Sequence, residues 1–215
     1  MKPASLIRGG ATAAAVAYAL VLVLIGIRPD EQIRYITAYL PVVIGLAVVV
    51  FDRWMWRWPG IHRLVGRPRL DGTWHVELRP HPDSRIPRGG NRGPIHAYML
   101  IEQTYWSLHA VLMTAESSSS SRTAAVRGNQ GSQRHVLEFV YGNEPRLEHQ
   151  PRSRSHTGTC LLTITERIPQ TLSGRYWTDR LTMGDMDLTY LDRATTYASF
   201  SAVQQVHPDV GVPPE

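Results

Sequence analysis

The chain has 215 residues and a formal net charge of +5. Residues 1–70 hold nine Lys/Arg against three acids, whereas residues 71–215 hold fourteen against fifteen. The positive excess belongs to the N-terminal third, which argues against a basic nucleic-acid-binding domain, so no DNA or RNA polymer is expected as a partner. The single cysteine, Cys160, excludes an intramolecular disulfide framework and any Cys-rich zinc module.

Two uncharged runs come first, Ala11–Ile27 and Tyr35–Phe51, each of about 17 residues. At 1.5 Å per residue each gives about 25 Å of helix. With their flanks they predict two transmembrane helices over about 9–27 and 33–51, joined by a tight hairpin. Lys2 and Arg8 precede them, and Arg53, Arg57, Arg63, Arg67 and Arg69 follow. The positive-inside rule then puts both termini in the cytoplasm, with the lipid bilayer as a partner. Trp54, Trp56 and Trp58 alternate with Arg53 and Arg57 as a headgroup-level belt would. Ala11, Ala15 and Ala19 make a row of small residues suited to self-association. The expected domains are a transmembrane hairpin over 1–58, a basic juxtamembrane linker over 59–69, a cytoplasmic β-barrel ligand-binding domain over 70–200 and a flexible tail over 201–215.

From Leu70 onward the chain reads as short β-rich runs separated by turn clusters. Eight strands are predicted: Gly72–Arg79, Ile95–Gln103, Trp106–Ala115, Ser119–Arg127, His135–Tyr141, His156–Thr165, Thr171–Thr178 and Met183–Tyr190. Eight sequentially paired strands close most simply into an antiparallel up-and-down barrel of the lipocalin or streptavidin kind, which removes the sheet edges. Such a barrel has room for one small ligand. The insert Pro80–Pro94 is rich in Arg, Pro and Gly, and reads as a mobile loop at the rim or a plain disordered connection.

No phosphate loop, nucleophile elbow or His-Glu-x-x-His occurs, so no catalytic residues, cofactor or metal site are expected. His156 reads as a paired strand histidine more readily than as a metal ligand, and Asp185 with Asp187 reads as a solvated strand face. The serine run Ser117–Ser121 is either a linker or a row of hydroxyls inside the barrel. Tyr176, Thr178 and Arg180 continue the parity of Leu172 and Gly174, which aims them at the interior or the rim. An arginine there needs an anion, and its fork matches phosphate oxygens; the other reading pairs it with Asp179 or with solvent. Trp106 and Tyr141 offer faces on which bases stack.

Together with the two predicted spans, several motifs resemble the two-transmembrane β-barrel effectors of CBASS, bacterial anti-phage signalling by cyclic oligonucleotides. They are Ile101–Trp106, Ser117–Ser121, Tyr141–Pro145, His156–Thr159 and above all Leu172–Gly184. The resemblance implies a cyclic dinucleotide receptor served by a partner nucleotidyltransferase. It also implies that the ligand drives oligomerisation and disruption of the bacterial inner membrane, so that the infected cell dies. Within that reading Arg180 holds phosphate, Thr178 with Ser119 or Ser121 donates hydrogen bonds, Tyr141, Trp106 and Tyr176 stack on bases, and His156 completes the set. The insert Pro80–Pro94 is longer and more basic than the resemblance leads one to expect. The alternatives are a membrane-tethered carrier or sensor for an apolar ligand, favoured by a dry interior, and a non-enzymatic protein-binding adaptor, favoured by a filled one.

Overall fold

A computed structural model of the protein describes residues 3–24, 31–128, 134–150 and 153–208. The chain divides into two compact units, one of residues 1–67 with the turn 104–107, the other of 68–103 with 108–215.

The first unit contains α1 (Pro3–Leu24), α2 (Glu31–Arg53) and the short α3 (Pro59–Val65). Among the described residues no helix is long and apolar enough to cross a membrane. This overturns the two predicted spans and the multi-pass inner-membrane placement, and it leaves the orientation of the termini and the bilayer as a partner without support. The physical reason is length. In the described part of α1, Pro3–Leu24, the charge-free stretch after Arg8 covers about 24 Å, short of the ~30 Å hydrocarbon core. α2 begins at Glu31 and ends on Asp52 and Arg53. Asp52 is buried, with its Oδ1 accepting the Trp106 backbone N–H at 3.1 Å. The tryptophan belt also divides: Trp54 and Trp58 are exposed, but Trp56 is fully buried beside His62 and Tyr105. The side chains of Ala11 and Ala15 lie outside the described residues.

The second unit is the predicted barrel. Its strands are β1 (Gly72–Pro80), β2 (Ile95–Gln103), β3 (Leu108–Met113), β4 (Ser117–Gly128), β5 (His135–Pro145), β6 (His156–Ile164), β7 (Thr171–Thr178) and β8 (Met183–Asp192). Every neighbouring pair is antiparallel, and β8 returns to β1, so the sheet closes in sequence order. The period-2 alternation sets the inside. Trp74, Met99, Ile101, Leu137, Leu162, Ile164 and Leu188 point inward and are almost wholly buried. They fill the half of the barrel nearest the β2–β3 and β6–β7 connections. The inward Gln103 is satisfied there: its Oε1 accepts from Leu70 N–H at 2.7 Å and its amide Nε2 donates to Pro68 O at 2.8 Å.

The stretch expected to be a loose tail begins with a helix instead. α4 (Phe200–Val206) is capped by Ser199, whose Oγ accepts from Ala202 N–H at 3.2 Å. Its Val203 is fully buried with Tyr98, Leu100 and Met113 on the outer barrel face. The insert Pro80–Pro94 is tied down as well. Ser84 is buried, donates to Met183 O at 2.5 Å and accepts from Met183 N–H at 2.9 Å, while Arg85 N–H reaches Leu181 O.

Candidate functional site

The β1–β2, β3–β4, β5–β6 and β7–β8 connections share one rim, and a cavity of about 350 Å³ opens beneath them. Its size falls within the usual ~300–1,000 Å³ of small-ligand sites. Leu78, Leu112 and Met186 give it apolar walls; Ser117, Ser119, Tyr141, Asn143, His156, Tyr176, Thr178 and Thr182 give it polar ones. An adjoining pocket of about 190 Å³ shares Asn91, Ser153, Tyr176 and Thr182 with it and adds Ile86, Pro87 and Arg180.

The register explains why these side chains meet. Across the sheet Ser119 faces Asn143, which faces His156. One layer deeper Ser121 faces Tyr141, Tyr141 faces Gly158, and Gly158 faces Thr178. Gly158 is required by close approach: a Cβ there would come within 2.3 Å of the Tyr141 ring. The missing side chain lets that ring lie across the wall of β6. Burial pushes the Tyr141 phenol well above its ordinary value, helped by Cys160, Tyr176 and Asp179, and burial likewise raises Tyr176 to about 12, with Asp185 adding to it. Both therefore stay neutral at physiological pH, each a ring face with a hydroxyl.

Arg180 stands at the end of β7, half-buried. Its guanidinium donates to Ser153 Oγ at 3.0 Å and Arg154 O at 3.2 Å, and Nη1 lies 3.5 Å from His156 Nδ1. Asp179 does not pair with it; its carboxylate accepts from the Thr157 backbone N–H at 3.0 Å instead. Among the described residues no carboxylate lies within ion-pair distance of Arg180. Burial, with the Arg180 charge as a smaller contribution, holds the His156 imidazole below its ordinary 6.5, against the raising effects of Arg154 O and Asp179.

Of the eight residues expected to bind ligand, Ser119, Tyr141, His156, Tyr176 and Thr178 line the main cavity and Arg180 lines the adjoining pocket. Two stand elsewhere. Ser121 is turned toward β3, where its Oγ accepts Ala110 N–H at 2.9 Å and meets His109 Nδ1 at 3.0 Å. A register shift between Ser121 and Thr123 marks this point. Trp106 is not a strand residue: it lies in the β2–β3 turn, grouped with the helical unit and stacked at a tilt on Phe51. Sequence reasoning did not select Ser117, Asn143, Thr182 or Ser153. Asn143 follows Tyr141 by two positions, so the strand parity was a usable signal for it. Ser153 and Thr182 belong to connections, for which alternation offers none.

A closed barrel with a polar, concave mouth has the architecture of a small-ligand receptor of the β-barrel class. The chain belongs to the family described as Cap15, cyclic dinucleotide receptor domain, which matches residues 65–190. It is also similar to the CD-NTase-associated protein 15 of Staphylococcus schleiferi, with 25% identity over 156 residues, covering 73% of this chain and 79% of that protein. The family is one of receptors, and the role of this chain is non-catalytic. The link to CBASS stands on these likenesses, but the membrane-effector part of the resemblance does not. Ligand-driven oligomerisation and membrane disruption were implied by that resemblance, which included two predicted spans, and no described helix is long and apolar enough to cross a bilayer.

Proposed function

We propose that the barrel mouth binds a cyclic dinucleotide, supplied by a partner nucleotidyltransferase, and that this chain is its non-enzymatic sensor. The observation that carries the reading is Arg180: a half-buried guanidinium at the cavity edge, met by neutral acceptors and, among the described residues, by no carboxylate. A phosphate compensates that charge, and its oxygens match the guanidinium fork. Thr178 and Ser119 supply hydroxyls to the ribose and phosphate oxygens. Tyr141 and Tyr176 supply faces for the bases, and His156 stands beside Arg180. The name of the Staphylococcus relative, which calls it CD-NTase-associated, supports the source of the ligand.

The outcome retains the sensor class left as the second reading of the sequence, but with a different ligand. An apolar ligand calls for a dry interior. Here the open half of the barrel carries hydroxyl, amide and imidazole groups, and the dry half is filled. Calorimetry of the full-length chain against a panel of cyclic di- and trinucleotides tests the proposal. Binding of one cyclic dinucleotide at a Kd below ~1 μM, about −8 kcal/mol, is the expected result. A folded chain that binds no member of the panel overturns it.

A further inference from the structure

Among the described residues, the proposed site contains one buried side-chain polar atom without a hydrogen-bond partner. Asn143 is only 7% exposed and lines the cavity. Its Nδ2 donates to Ser117 Oγ at 3.0 Å and to Ser119 Oγ at 2.9 Å. Both amide N–H bonds are thereby used, which fixes the orientation of the side chain. The opposite orientation would strand two N–H donors instead of one oxygen. In the observed arrangement Oδ1 is buried and meets no donor among the described residues. The facing His156 does not fill this role, because its Nδ1 is turned to Arg154 O at 3.2 Å. Buried polar atoms are nearly always paired in native folds, and one left open in a ligand cavity points to a donor that arrives with the ligand.

We infer that Asn143 is a specificity residue, whose Oδ1 accepts an N–H from an exocyclic amino group on a base of the ligand. This rests on the proposed cyclic dinucleotide reading and deepens it. Tyr141 precedes Asn143 by two residues on the same inward face, so a base stacked on that ring has an edge directed toward the amide. Because the serines consume both N–H groups, Asn143 presents an acceptor alone. A base with an amino group satisfies it, and a carbonyl in the same place sets oxygen against oxygen.

The test measures affinities of the full-length chain for cyclic diadenylate, diguanylate and dicytidylate against the amino-free cyclic di-inosinate and diuridylate. The wild-type chain is expected to bind its preferred amino-bearing probe at least about tenfold more tightly than the amino-free counterpart. In Asn143→Leu the preference is expected to disappear, with the affinity falling to that of the amino-free probe. Asn143→Leu also gives up the two bonds to Ser117 and Ser119, so a melting curve of the free variant establishes that it is folded before affinities are compared. Equal binding of amino-bearing and amino-free probes by the wild-type chain overturns the inference and needs no variant. Discrimination that survives in Asn143→Leu overturns it too. If none of the five probes binds the wild-type chain, it is the cyclic dinucleotide reading itself that fails.

Discussion

The two halves of the barrel are built from the same eight strands and the same alternation, yet they treat buried polar groups differently. In the filled half the inward amide of Gln103 is met on both sides by Leu70 and Pro68, and Trp74 Nε1 donates to Leu70 O at 3.0 Å. In the open half the inward amide of Asn143 is met on its nitrogen and left bare on its oxygen. One end of the barrel completes its own hydrogen bonds and supplies stability. The other leaves a bond to be completed and, in the function proposed above, supplies recognition. The contrast shows that a polar residue inside a barrel is not by itself a ligand contact; what matters is whether the fold has already used it.

Substitutions separate these roles. Leu162→Ala removes a fully buried side chain from the filled half and should cost ~2–5 kcal/mol of unfolding free energy in a denaturant titration, leaving ligand affinity nearly unchanged in the folded fraction. Arg180→Ala should reverse the pattern: cyclic dinucleotide affinity falls at least ~100-fold, about 2.7 kcal/mol, while the melting temperature holds. Unchanged affinity would remove Arg180 from the site. Gln103→Leu strands Leu70 N–H and Pro68 O and should destabilise by ~1–3 kcal/mol in the same denaturant titration, with ligand affinity unchanged in the folded fraction. The smallest effect is with pH. His156 titrates below its ordinary 6.5 in the folded chain, so the unfolded chain binds more protons in the window below 6.5. Stability therefore declines as pH falls through that window. A bound phosphate favours the protonated ring, so affinity should rise severalfold over the same interval, and calorimetry of His156→Gln should show a flatter profile.

The barrel was legible because alternation and turn residues are local signals. The boundaries of Ile95–Gln103 and Thr171–Thr178 match the observed strands, and inward Tyr176 and Thr178 follow from Leu172 and Gly174 by parity. The serine run shows where that logic stops. Ser117, Ser119 and Ser121 all belong to the inward row, but the shift of register after Ser121 turns its hydroxyl to β3. Trp106 was misplaced because the β3 ladder begins at Leu108, two residues later than the apolar run suggests. The helical region misled for another reason. Hydropathy reports the absence of charge, and about 17 uncharged residues fit equally a helix whose end, at Asp52, is buried against a turn of its own unit.

The return of β8 to β1 gives the mouth a fixed circumference. An open sheet can splay to admit a larger guest, but a closed ladder does so only by breaking backbone hydrogen bonds. Adjustment is left to the connections above the rim, among them the Pro80–Pro94 insert that Ser84 fastens to Met183. If the mouth binds as proposed, such a vessel sorts its guests by two independent criteria, girth at the wall and chemistry at the inward side chains, and its selectivity can be retuned at single inward positions without rebuilding the staves.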